Sequence, residues 1–126
     1  MRIAMVVAGA LLAWPGSGSA AEWVKVSEST TAIWYVDMTS MRQNGDVRSA
    51  WLKADHSRDR KTKARESRWL ERFNCSAWTS RTASVTYYGP DGDVQSSRAF
   101  PEFESIGFTP IVPDTVWNGI ARFVCS

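Results

Sequence analysis

The chain has 126 residues, of which 44% are hydrophobic, 22% charged and 12% aromatic. That length supports one domain with a sizeable core and excludes two, and the ordinary balance of apolar and charged residues excludes a disordered chain. Fifteen Lys and Arg against thirteen Asp and Glu leave a net charge of +2, too small for a general DNA binder.

The first segment reads as an export signal. Met1-Arg2 supplies a positive charge, Ile3 to Trp14 is an unbroken run of apolar and small residues, and Pro15 to Ala21 breaks the run with small side chains. This three-part order predicts a signal peptide over residues 1–21, cut after Ala20 or after Ala21. The run is shorter than the roughly 20 apolar residues a spanning helix needs, so removal is expected rather than retention. No Cys stands near the cut to take a lipid. Residues 22–126 are expected to form a single domain, exported to the periplasm, the cell surface or the medium. Loss of Arg2 would lower the net charge to +1.

Glu22 to Val26 and Ile33 to Val36 read as short strands, the second β-branched and aromatic, separated by the polar turn Ser27 to Thr31. Met38 to Met41 has no clear period. Gln43-Asn44-Gly45-Asp46 carries a hairpin signal. Val47 to Ala54 alternates, with Val47, Ser49 and Trp51 on one face and Arg48, Ala50 and Leu52 on the other. Ser67 to Cys75 alternates again and sets Trp69, Phe73 and Cys75 on one face. Trp78 to Tyr88 is a longer strand, Gly89 to Asp93 a turn, and Val94 to Phe100 the last strand.

Sequential strands joined by short turns make an antiparallel meander. Pro101, Pro110 and Pro113 mark an irregular passage after it, because proline cannot donate to a ladder. The period then changes: Val116, Ile120 and Val124 fall four apart beside Trp117, the pattern of a helix with one apolar face. Asp114 is placed to cap its start. The helix has about ten residues and contains Gly119, which costs about 1 kcal/mol relative to Ala, so it needs a sheet to pack on. The fold class is α+β: a meander of about six strands with a C-terminal helix packed on it.

Cys75 and Cys125 are the only thiols, so a single intramolecular pairing is available, and an exported chain is expected to form it. Closing a loop of about 50 residues stabilises by roughly 4 kcal/mol on chain-entropy reasoning. A catalytic or metal-binding thiol would need partners that one His and no nearby second Cys do not supply.

A set of residues in order resembles a known family. Trp23-Val24-Lys25-Val26, Tyr35-Val36-Asp37, the Met41-Arg42-Gln43-Asn44-Gly45 turn before Val47 and Trp51, Asp55, Ser67, Cys75, Tyr87-Tyr88-Gly89-Pro90, Gly92, Pro113 and Cys125 together are similar to the bacterial surface-adhesin protein E family. The resemblance implies a six-stranded antiparallel sheet, a terminal helix held by the disulfide, and binding of host extracellular matrix proteins. It departs in one respect: the archetype is lipid-anchored, and this chain lacks the cysteine. The fold carries over more readily than the activity.

Chemistry-bearing constellations are sparse. His56, the only histidine, follows Asp55 in a charged stretch and reads as a solvated loop residue rather than the base of a Ser-His-Asp triad. No metal-ligand spacing and no Gly-rich phosphate loop is found, so neither a metal nor a cofactor is expected. Glu71 alternates with Trp69 and Phe73; if buried it needs a partner, for which an Arg is the natural choice. Lys53 to Arg72 holds eight basic and four acidic residues, a net charge of +4. Arg58, Arg60, Lys61, Lys63 and Arg65 within it read either as a binding loop for an acidic glycan, anionic lipid head groups or an acidic protein patch, or as a solvated connection. Of six tryptophans beyond the signal segment, Trp78, in the turn after Cys75, is the candidate exposed anchor. The reading is a non-enzymatic adhesin-like module with a macromolecular partner, not nucleic acid, with homodimers open to it through sheet edges. The alternative is a periplasmic accessory module that binds another envelope component.

Overall fold

The computed structural model describes residues 20–101 and 107–126; nearly all of the expected signal segment lies outside them. One antiparallel sheet organises the chain. Its strands are β1 (Trp23–Glu28), β2 (Ile33–Asp37), β3 (Arg42–Asn44), β4 (Val47–Asp55), β5 (Glu66–Asn74), β6 (Thr79–Tyr88), β7 (Val94–Ala99) and β8 (Thr109–Pro110), followed by the helix α1 (Val116–Val124). The main path runs β1-β2-β4-β5-β6-β7, the expected six-stranded meander. Two short strands add to it: β3 pairs with β4, and β8 pairs with the start of β6.

Local chemistry accounts for both additions. The β3–β4 ladder ends at the Asn44–Val47 pair, leaving Gly45 and Asp46 as a two-residue turn. Gly45 has φ +63° in the first turn position, which suits a type II′ hairpin. Thr109–Pro110 stands at an edge, where a missing N–H costs nothing, opposite Ser80 and Thr79.

Two bulges set which residues face the core. Leu70 pairs with Ser84 but Glu71 pairs with Thr82, so Ala83 is the extra residue on β6. A bulge shifts the side-chain alternation by one. Ser80 and Thr82 before it, and Val85 and Tyr87 after it, therefore share the inner face with Ser67, Trp69, Glu71 and Phe73. Val26 is the corresponding extra residue on β1.

The inner face forms the core. Trp34, Val36, Ala50, Leu52, Ala54 and Phe73 from the sheet pack with Ile120, Ala121 and Val124 from α1. Each fully buried large side chain contributes about 1.5–3 kcal/mol. The helix lies chiefly over β1 and β2, and its Trp117 reaches across to β5 and β6. Gly119 makes the approach to β1 possible: a Cβ there would stand 2.9 Å from Ser27 Oγ. The expected cap moves by one residue. Asp114 sits in the left-handed region at φ 61°, and Thr115 accepts the Asn118 N–H. A hydroxyl caps as well as a carboxylate, and Asp114 has already turned out of the extended conformation a cap requires.

The helix end is fixed twice. Arg48 Nη1 donates to the carbonyls of Val124 and Ser126 at 2.9 and 3.0 Å, which satisfies acceptors that no further turn can reach. Cys125, the C-cap, is bridged to Cys75 at the end of β5, with Cα atoms 5.6 Å apart. At the other end of the domain, Asp37 is buried and accepts from Glu22 N–H, Thr39 N–H and Thr39 Oγ1 at 2.9, 3.0 and 2.7 Å. Burial pushes its pKa up, but these three donors together outweigh burial and hold it below the usual carboxylate range.

Candidate functional site

Arg58, Arg60, Lys61, Lys63 and Arg65 all lie exposed on the β4–β5 connection. The connection is pinned. His56 N–H donates to Arg65 O at 2.8 Å, Asp59 N–H to His56 O at 2.9 Å, and Arg65 N–H to Tyr88 O at 2.8 Å. Lys61 N–H donates to Asp59 Oδ1, Gln95 reaches Lys63 O, and Ala64 is buried beneath. Arg58 is committed to Glu28 at 2.8 Å and to Ser29 O, and Arg65 reaches Pro90 O at 3.5 Å. Arg60, Lys61 and Lys63 make no side-chain ion pair among the described residues. The loop thus presents three uncommitted cations on a fixed backbone.

Trp78 is half-buried against the core. Its φ of 58° closes the turn after β5, and its Nε1–H donates to Asn118 Oδ1 of α1 at 3.0 Å. The more open tryptophan is Trp51, 38% exposed, on the outer face of β4.

The β5–β6 half of the inner face holds a cleft of about 650 Å³ between Trp117 of α1, the β6 residues Ser80, Thr82, Val85 and Tyr87, and the 107–112 passage. Its walls are aromatic. Trp117 meets Trp34 and Trp69 edge-to-face at 5.1 and 5.6 Å, and Trp69 meets Tyr87 at 6.2 Å. Glu71 lies at its floor, only 2% exposed. Neutral donors reach it: Thr82 Oγ1 donates to Glu71 Oε1 at 2.6 Å and Trp117 Nε1 to Oε2 at 3.3 Å. The guanidinium of Arg81 adds its charge, and its Nη2 donates to the carbonyls of Phe100 and Pro101.

Burial dominates at Glu71 and pushes its pKa up, against those hydrogen bonds, one from Ser80 and the charge of Arg81. The sign for stability follows. A carboxyl raised in the folded state stabilises below its unfolded pKa of about 4.3, and that contribution is lost as pH rises through the folded value. Glu71→Gln removes the loss. The stability difference, variant minus wild type, is expected to grow from pH 4 to pH 8 in urea denaturation. Parallel curves would show that Glu71 ionises without cost.

His56 is half-buried, contrary to the solvated residue expected, because the loop folds back over the inner face at Ser67. His56 Nε2 lies 2.7 Å from Ser67 Oγ, which also accepts from Trp69 Nε1 at 2.8 Å. Burial lowers the His56 pKa, opposed by the charges of Asp55, Asp59 and Glu66. Ser67 is fully buried, and Asp55 Oδ1 accepts from Ser57 N–H. His56 Nε2 and Ser67 Oγ are therefore adjacent, with the serine enclosed.

Alternation alone does not reveal the outer-face neighbours Trp23, Tyr35, Lys53, Arg68 and Tyr88. Lys53 Nζ lies over the Trp23 and Tyr35 rings at 4.6 and 5.1 Å, and the Arg68 guanidinium over Trp23 and Tyr88 at 5.4 and 5.8 Å. The groups come from five strands, so only the register brings them together.

No helix among the described residues is long and apolar enough to cross a membrane. No curated protein matches the chain. Among solved structures, crystal form II of Haemophilus influenzae protein E gives a TM-score of 0.57 at 13% identity, over 86% of this chain and 90% of that one. The selenomethionine form gives 0.58 at 14% identity, over 86% and 88%, and protein E from non-typeable Haemophilus influenzae gives 0.54 at 13%, over 86% and 78%. At such identities the likeness is one of fold. The sequence pattern of surface-adhesin protein E matches residues 23–126. With the pattern covering the sheet, the helix and both cysteines, this chain belongs to the surface-adhesin protein E family and is an adhesin-like binding module.

Proposed function

We propose that residues 1–21 are removed on export and that residues 22–126 act as a single non-enzymatic domain that holds host extracellular matrix proteins through the β4–β5 loop. The observation that carries this reading is the pinned loop, on which Arg60, Lys61 and Lys63 are exposed without a partnering carboxylate among the described residues. A fixed backbone lowers the ordering cost of binding, and clustered cations steer an acidic partner. The outcome expected with immobilised matrix proteins is salt-sensitive capture of the exported protein. Neutralising Arg60, Lys61 and Lys63 together should weaken it at least tenfold at low salt, from about 0.5–1 kcal/mol for each charge. Capture that is indifferent to the triple substitution would overturn the loop's role. Protease added to intact cells separates surface display from a periplasmic accessory role, because only a surface protein is cut.

A further inference from the structure

The outer face of the sheet carries a second, differently built surface. Tyr35, Lys53, Arg68 and Thr86 lie directly opposite one another across β2, β4, β5 and β6. Lys53 and Arg68 are thus a like-charged cross-strand pair, an arrangement that destabilises a sheet. Both cations converge on one indole, that of Trp23, at 4.6 and 5.4 Å. Ring faces hold them by cation–π attraction and keep their charge pointed outward. Arg68 pairs with Glu66 at 2.7 Å, whereas Lys53 meets no carboxylate among the described residues.

Beside this pair is a shallow depression of about 330 Å³ lined by Trp23, Trp51, Arg68, Thr86, Tyr88 and Asp37. Asp37 is the one acid in it, and its Oδ1 is already taken by three donors. At the loop end of the face, Asp55 and Glu66 are likewise engaged, by Ser57 N–H and Arg68. Those neutral donors leave Asp37 and Asp55 charged, and the positive balance of the face comes from Lys53 together with Arg42 and Arg72, which stand opposite Ser49 on the same face and meet no carboxylate among the described residues.

We propose that this face binds a sulfated polysaccharide chain. A sulfate seated between Lys53 and Arg68 turns their mutual repulsion into two attractions, with the guanidinium free to share its remaining donors. The neighbouring sugar ring lies in the depression, its C–H face against Trp51 and Trp23 and its hydroxyls toward Thr86. Open sheet faces of other folds take oligosaccharides in the same manner. Alternating rings and anions match the alternating aromatics and cations. The inference rests on the reading of the chain as an exported adhesin, but not on the loop as its matrix-protein site.

The test uses the exported protein and a heparin-derived octasaccharide, with the desulfated octasaccharide and a single-stranded DNA of equal charge as comparisons. In two-dimensional NMR the indole N–H signals of Trp23 and Trp51 are expected to shift on adding the sulfated sugar, while those of Trp34, Trp69 and Trp117 on the inner face stay. Trp51→Ala and Lys53→Gln should each weaken sugar binding at least tenfold, and the Arg60/Lys61/Lys63 triple variant less than threefold. Equal binding of the desulfated sugar, DNA binding as tight as the sugar, or wild-type affinity in both face variants overturns the inference. If instead the loop variant alone loses the sugar, the face falls and the loop reading stands. If the face variants lose the sugar while matrix-protein capture ignores the loop, the loop reading falls and the face stands.

Discussion

Removing the Cys75–Cys125 bridge is expected to cost the domain about 4 kcal/mol, a large share of the roughly 5–15 kcal/mol that holds a protein of this size together. The magnitude comes from the 50-residue separation of the two cysteines, because the bridge forbids the unfolded chain most of its extended conformations. The native side contributes in the same direction. The helix has nine residues, too few to persist alone, and Cys125 at its C-cap is tied to the end of β5. Freed from the bridge, α1 keeps only its packing and the Arg48 contacts to Val124 and Ser126. The measurement is a urea unfolding curve of the Cys75→Ser/Cys125→Ser protein beside the wild type with and without reductant. The reduced wild type should match the double variant. A loss below about 1 kcal/mol would mean that the unfolded chain is already confined in this region.

Trp117→Ala should cost about 3 kcal/mol or more, within the range for large aromatic truncations. Three effects add. The indole packs edge-to-face on Trp34 and Trp69, and such contacts are worth about 0.5–1.5 kcal/mol beyond area. It fastens α1 to the sheet. Its Nε1–H is shared between Ser80 Oγ at 3.0 Å and Glu71 Oε2 at 3.3 Å, so its loss leaves a buried carboxylate with one donor fewer. Trp117→Phe separates these effects, since it keeps a ring without the N–H; a cost of about 1–2 kcal/mol is expected there. Adding Glu71→Gln to Trp117→Ala should recover part of the loss at pH 7, because the group deprived of its donor is then neutral. Strict additivity in this thermal-denaturation cycle would show that Trp117 and Glu71 act independently.

Much of the architecture was legible because it is written in alternation. Ala50, Leu52 and Ala54 on β4, and Ser67, Glu71 and Phe73 on β5, are buried as their period-two placement predicts. The single thiol pairing was forced by number. What escaped depends on events that no short window of sequence encodes. β3 and β8 have three and two residues, too few for a period, and Pro110 argued against the second. The Ala83 bulge reverses the parity of β6 midway, so no single alternation could place both Thr82 and Tyr87 inside. Asp114 and Thr115 are both good caps, and only backbone conformation decides between them. The hydroxyl and indole donors to Glu71 were not legible, since the cross-strand register delivers Thr82 and the helix delivers Trp117. The basic loop was visible as composition, while the outer-face pairing of Lys53 and Arg68 required knowing which residues stand opposite.

The hydrogen bond from Glu22 N–H to Asp37 Oδ1, 2.9 Å long, would give the proposed removal of residues 1–21 a thermodynamic signature. If the export peptidase cuts between Ala21 and Glu22, that amide becomes a free α-ammonium facing a carboxylate already held ionised. The precursor has a neutral donor at this place and the processed protein a charged one, so the cut itself would tighten the start of β1 against β2. A cut one residue earlier leaves the amide intact and forgoes the ion pair. The choice of peptidase site would then be felt as a difference in stability between two proteins that differ by a single alanine.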